Sequence, residues 1–259
     1  MSEKKPALWL RIWAIITYAY IYLPILILII FSFNTQKLNV RWEGFTFHWY
    51  EVLFNDQEVM LATRNSLTVA AVSTTAATII GTMAALALQR YRFPGYTLAE
   101  STLYIPVIIP EVVMGISLLA FFAQIGFTLG LGTITLAHIA FNIPFVTLVV
   151  RARLHGFDKA IEEAAMDLGA NELTTFWRVT LPTIMPGVLS GALLAFTLSL
   201  DDYVITYFTA GPGSTTLPLR VFSMVRFAVT PEVNALSTLW VLTVFTLLLI
   251  GQLAQRRRV

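Results

Sequence analysis

IEEAAMDLGANELTTFWRVTLP, residues 161–182, reads like a fragment of soluble protein set between long apolar runs. Asp158, just upstream, is a good helix N-cap. Glu162 and Glu163 fall in the first turn, where the helix dipole favours carboxylates, and Gly169 supplies a stop. A helix so bounded has about three turns, far short of the ~20 residues needed to cross a bilayer. Ile161, Ala164, Ala165 and Leu168 follow i, i+3, i+4, i+7, which gives a narrow apolar face with small residues at its centre. Such a face admits close approach by another surface. Asn171 is placed to cap a second helix carrying Leu173, Phe176 and Trp177, expected to pack the unit against the ends of the neighbouring spans. Pro182 suits the first turn of the next long helix.

The rest of the chain is lipid-soluble by composition. Of its 259 residues 57% are hydrophobic and 12% charged, and its mean hydropathy is +0.73; soluble domains carry about a quarter charged residues. Apolar runs near 12–33, 65–88, 98–125, 132–150, 183–205 and 233–254 each reach spanning length. The expected fold is an all-α integral membrane protein of six transmembrane helices, forming one domain over residues 1–259. Lys4, Lys5 and Arg11 before the first run resemble a signal peptide, but that run exceeds ~15 residues and lacks a small-x-small cleavage site, so it reads as a retained anchor. There is no cysteine, hence no disulfide and no thiolate metal site.

With six spans, both termini and the 2–3 and 4–5 connections share one side. That side carries Lys4, Lys5, Arg11, Arg90, Arg92, Arg151, Arg153, Lys159, Arg178, Arg256, Arg257 and Arg258, twelve of the 17 basic residues. Lys37, Arg41, Arg64, Arg220 and Arg226 lie opposite. The excess of positive charge makes the first side cytoplasmic, so the opening stretch belongs to a cytoplasmic loop, 153–181. A plain amphipathic helix resting on headgroups is the rival reading of that loop. Its small apolar face and acidic flank oppose this, because anionic lipids attract basic residues. A protein partner with a groove for a short helix fits better.

Glu163-Ala164-Ala165, three residues, Gly169, nine residues, then Val179-Thr180-Leu181-Pro182 resembles the EAA loop of permease subunits in bacterial ABC importers, with valine where isoleucine is usual. The resemblance implies a type I importer fold in which Glu163, Ala164, Ala165, Leu168 and Gly169 form a coupling helix docked on a separate ATPase. The chain itself has no phosphate-cradling G-x-x-x-x-G-K-[ST] loop and no G-x-S-x-G, H-E-x-x-H or Cys/His cluster. No catalytic residue, metal ligand or cofactor is expected on it, and ATP and magnesium belong to the ATPase partner.

Carboxylates at bilayer depth cost several kcal/mol on insertion scales, so they face cavities, pair, or mark pathways. Glu111 follows Pro106 and Pro110 in the third run, prolines expected to break consecutive turns, and a straight helix places it ~20 Å from the cytoplasmic start. Asp201 and Asp202 lie toward the outer end of the fifth. At 100° per residue Ser190, Thr197 and Asp201 share a polar stripe suited to a lumen, whereas Asp202 lies near Gly191 and Ala195, a packing meridian. Asp201 is therefore the substrate candidate, and Asp202 stays open to either role. Thr135, His138 and Asn142 share a face that suits either the path or a seam between helices. Ala70, Thr74, Thr78 and Thr82 read as a packing seam. Several acids with no basic residue at their depth imply a cationic cargo, and Tyr203, Tyr207 and Phe208 offer cation–π contacts of ~0.5–2 kcal/mol.

The segments SFN after the first span, WEGFTFHWY in the outer loop, SLDDYVITYFTAGPGSTTLPL and TPEVNAL together resemble the C-type permeases of spermidine/putrescine importers over nearly the whole chain. That resemblance implies polyamine cargo passing Asp201 and Asp202. It also implies a second, homologous permease subunit, an ATPase dimer, an extracytoplasmic binding protein and residence in the bacterial inner membrane. Trp42, Trp49 and Tyr50 are candidates for the outer mouth against the default of an aromatic belt, and GPGSTTLP is either a plain turn or a contact for the binding protein. The rival functions are an ion-gradient-driven transporter of organic cations, which calls for internal repeats with broken helices, an ion channel, and a permease for another small cation.

Overall fold

The computed structural model describes residues 8–37, 41–226 and 229–256. The described chain is helical, with one isolated bridge between Asn34 and Phe45. In order the helices are α1 (Leu8–Phe31), α2 (His48–Asn55), α3 (Gln57–Arg90), α4 (Tyr96–Ile108), α5 (Glu111–Gln124), α6 (Leu131–Leu154), α7 (Ala160–Asp167), α8 (Glu172–Thr175), α9 (Leu181–Asp201), α10 (Val204–Thr209), α11 (Leu217–Val225) and α12 (Pro231–Arg256). Between α8 and α9, Phe176–Thr180 forms a π-helical turn.

Among the described residues four stretches are long and apolar enough to cross a membrane: α1, α3, α6 and the continuous run Glu172–Asp201. The pair α4–α5 makes a fifth if counted as one span. The sixth expected span, 233–254, falls in α12, where the side chains at 247, 248 and from 250 onward lie outside the described residues. The third span is not the single helix expected over 98–125, because α4 and α5 are bent by 111°. Pro110 drives Ile109 into extended backbone, φ −72° and ψ 135°. Pro106, expected to break a turn as well, stays inside α4. The straight-helix depth of Glu111 falls with the bend.

The chain divides into two compact units, residues up to 60 with 221–243, and 61–220 with 244 onward. In the first, Asn34 ties the link from α1 to α2. Its Nδ2 donates to the Arg41 carbonyl at 2.6 Å, its Oδ1 accepts from Glu43 N at 3.0 Å, and its own carbonyl accepts from Trp49 Nε1 at 2.7 Å. Ser32 Oγ and Tyr50 OH are 2.7 Å apart, and the Phe33 ring stacks on Phe45 at 5.0 Å. The SFN signature is thus a knot that satisfies the polar side chains it buries.

The second unit is built on α3, α6 and α9. Ala77, Ala85, Val146, Val150, Ile184 and Ala195 are fully buried in one cluster. Small residues set the spacing, since a Cβ on Gly81 would come within 2.8 Å of Val146 Cβ, and one on Gly191 within 3.3 Å of Val146 Cγ1. In lipid the gain from such approach is packing rather than expulsion of water. On the seam expected along α3, Ala70 and Thr82 are buried, and Thr74 and Thr78 half-buried.

GPGSTTLP is more than a plain surface turn, because it is tied to α3 while Pro212, Gly213 and Thr215 stay exposed. Asn65 Nδ2 donates to the Gly213 and Thr215 carbonyls at 3.3 and 2.9 Å, and Leu217 N donates to Ser66 Oγ at 2.8 Å. A Cβ on Gly211 would lie 2.0 Å from the Leu129 carbonyl oxygen, a backbone atom with nowhere to go. Gly211→Ala is expected to cost ~3 kcal/mol, the upper end of ordinary overpacking. The check is the melting temperature and yield of detergent-extracted protein, with Pro212→Ala at the exposed tip staying near wild type.

Candidate cation pathway and coupling surface

The helix expected over 183–205 ends at Asp201. Asp202 takes extended backbone, φ −67° and ψ 120°, and the chain restarts as α10. The carboxylate of Asp202 causes the restart, because it accepts from Ile205 N at 3.2 Å and from Thr206 N and Thr206 Oγ1 at 2.8 and 2.7 Å. It therefore caps α10. His138 on α6 completes the shell, with Nε2 at 3.1 Å from Asp202 Oδ2 and 2.9 Å from Thr206 Oγ1, and Nδ1 at 2.7 Å from Ser199 Oγ. The single Thr206 hydroxyl proton goes to Asp202, which assigns the hydrogen to His138 Nε2. Ser199 Oγ in turn sits 3.1 Å from Ser73 Oγ on α3. His138 is thus a cement between helices, settling one of the two readings of its stripe. Asp202, 9% exposed, has its acceptors committed.

Asp201 differs. It is exposed and has no hydrogen-bond partner among the described residues, and with Glu111 and Asp202 it lines a cavity of about 220 Å³ whose remaining wall is Phe141, Thr197, Leu198, Tyr203 and Val204. The 111° bend brings Glu111, the first residue of α5, to this wall. Three carboxylates converge with no lysine, arginine or histidine among the described lining residues, an arrangement that attracts cations and repels anions. Phe141 was missed by the sequence reading, although it precedes Asn142 in the polar stripe. Ser190 is not in the lining. Nor is Tyr207, which is exposed, its ring 5.8 Å from that of Tyr203. Phe208 instead packs on Gly115, whose Cβ would meet its ring at 2.6 Å. Of the residues expected at an outer mouth, Trp49 is buried and hydrogen-bonded, Tyr50 is half-buried on Ser32, and Trp42 is exposed beside Phe31.

The loop between α6 and α9 follows its sequence signals closely. Asp158 Oδ1 accepts from Ala160 N at 3.0 Å. At the other end Gly169, φ +93°, closes a Schellman motif through Gly169 N to Met166 O at 2.9 Å and Ala170 N to Ala165 O at 3.1 Å. Asn171 Oδ1 caps α8 by accepting from Thr174 N at 2.8 Å. Glu163, Ala164 and Gly169 are exposed, Ala165 is half-buried, and Leu168 is 91% exposed. Leu173 and Trp177 are also exposed rather than packed inward, correcting the expectation for them. Pro182 lies in the first turn of α9 as expected, but α9 is not a fresh start, because α8 runs through the π-turn into it. Leu181 N reaches back to Phe176 O across that turn, which loosens the helix where Pro182 removes a donor.

Residues 77–259 match the family described as binding-protein-dependent transport system inner membrane component. The chain is 45% identical over 242 residues to the spermidine/putrescine transport system permease protein PotC of Haemophilus influenzae, covering 93% of this chain and 94% of that protein. It is 46% identical over 238 residues to the putrescine transport system permease protein PotI of Escherichia coli K12, covering 89% and 85%. In fold it is similar to a bacterial ABC transporter involved in the import of the acidic polysaccharide alginate, with TM-score 0.77, 17% identity and coverage of 96% and 95%. It is also similar to the inward-facing MetNI methionine ABC transporter, with TM-score 0.66, 18% identity and coverage of 79% and 99%. At such identities these two speak to the fold alone.

Proposed function

The chain belongs to the binding-protein-dependent transport system inner membrane components, multi-pass permeases of ABC transporters, and from that membership we propose that it carries polyamines such as spermidine and putrescine into the cytoplasm. It does so as one permease domain over residues 1–259, with both termini cytoplasmic and 153–181 as the coupling loop. A second, homologous permease subunit completes the path. An extracytoplasmic binding protein delivers cargo, and an ATPase dimer, holding ATP and magnesium, grips α7 and its C-terminal stop through Glu163, Ala164, Ala165, Leu168 and Gly169. The observation that carries the cargo assignment is the convergence of Glu111, Asp201 and Asp202 on one cavity with no basic side chain among its described lining residues. A slender polycation matches that lining. Its ammonium groups meet carboxylates, and the methylenes between them pack on Phe141 and Tyr203.

The test is uptake of labelled spermidine by proteoliposomes holding the complete complex. Uptake is expected to require ATP and the loaded binding protein and to be indifferent to an imposed ion gradient. A permease that never copurifies with an ATPase and accumulates spermidine on a gradient alone would be a secondary transporter, and the reading would fall.

A further inference from the structure

Glu162 and Glu163 are neighbours in α7 about 100° apart around the helix, one turned inward and one outward. Glu163 is exposed. The Glu162 side chain is 12% exposed, and one of its oxygens, Oε1, accepts from both Arg90 Nη2 and Thr180 Oγ1. Arg90 Nη2 also lies 3.5 Å from Thr180 Oγ1, so the three groups close a triangle. Each corner belongs to a different element. Glu162 is in the first turn of α7, Arg90 is the last residue of α3, and Thr180, fully buried, is the last residue of the π-turn leading into α9. A lone ion pair at a surface contributes little, but this one is partly buried and shared with a buried hydroxyl, so its members move together or leave an unpaired charge. α3 and α9 meet again in the Ala77, Val146 and Ala195 core. The far end of α9 is Asp201, at the cavity. The turn beneath α9 is π-helical, a geometry found mostly as single turns inside α-helices and frequently at functional sites.

We propose that Glu162, Arg90 and Thr180 form a linkage that transmits displacement of α7 to α3 and α9 together, with Glu162 as its positioning residue. The linkage rests on the reading that α7 is the element an ATPase moves. Glu163, Ala164 and Leu168 present the gripped side of the helix, and Glu162 presents the side that pulls.

The experiment uses the reconstituted complex of both permease subunits, the ATPase and the binding protein, and reads three quantities: ATPase copurified, ATP hydrolysed and spermidine moved per ATP. Glu162→Gln and Arg90→Gln are expected to keep the ATPase bound and hydrolysing while transport per ATP falls about tenfold, within the span of coupling mutations. The exchanged pair Glu162→Arg with Arg90→Glu is expected to recover to within about threefold of wild type, as a shared pairwise interaction requires. Thr180→Val, which deletes one corner and keeps shape, is expected to lose about threefold. Unchanged transport per ATP in Glu162→Gln and Arg90→Gln overturns the linkage. Should those two fail to assemble, the ratio in Thr180→Val decides, and an unchanged value overturns it equally. Failure of the docking reading looks different, since no ATPase would then copurify with the wild-type permease.

Discussion

Replacing Asp201 by asparagine is expected to cut polyamine uptake by about 10- to 100-fold while leaving the assembled complex at its normal level. The amide keeps the shape of the carboxylate, and Asp201 makes no hydrogen bond to a described residue that the change would orphan. What disappears is one ammonium–carboxylate contact, and a hydrogen bond to a charged group is worth ~1.5–3 kcal/mol. Asp202→Asn should behave in the reverse way. Ile205 N, Thr206 N, Thr206 Oγ1 and His138 Nε2 all donate to that carboxylate, and an asparagine NH₂ facing any of them sets donor against donor. Assembly should therefore fall, by ~1–3 kcal/mol of stability per buried group left unpaired. Labelled-spermidine uptake and native-gel quantitation of the complex separate the two phenotypes. Equal loss of transport with equal assembly would remove the distinction between a cargo-facing and a bracing aspartate.

Glu163→Lys should abolish coupling, with spermidine moved per ATP down at least ~10-fold, the scale on which central contact residues act. Glu163 is exposed, so little internal stability is at stake beyond the ~0.3–1 kcal/mol of placing a cation in the first turn of a helix. The Asp158 cap and the Schellman motif hold α7 in place. Hydrolysis and transport measured in the same vesicles give the ratio, and a fully coupled variant would count against docking through this face.

The loop from Asp158 to Asn171 was legible because its signals are local. Caps, dipole and glycine stop all act within one turn of the residues that carry them. The acids stood out in the sequence because a charge in an apolar run is costly to insert and survives there only where it pairs or meets water or cargo. Their geometry was not legible. A helical wheel drawn through Asp202 presumes that the helix continues, whereas Asp202 itself ends it by capping the next one, and His138, its partner, lies 64 residues away. Proline marks where the third span breaks, but nothing local fixes an angle of 111°. That angle depends on how α5 seats against α10, where Phe208 fills the space left by Gly115. Leu173 and Trp177 were misread because an amphipathic pattern says that a face is covered, not by what; in this chain they stand exposed.

The π-turn at Phe176–Thr180 fixes more than the accommodation of Pro182. A π-turn holds one surplus residue relative to α-helix, and each residue advances the azimuth by about 100°. The phase of everything upstream, including the aim of Trp177 and the seat of Thr175, is thereby offset from the membrane-embedded portion by that single insertion. Trp177 near one end and Asp201 at the other are cut from one rod, Glu172–Asp201, and their relative bearing is a matter of one amino acid's worth of winding.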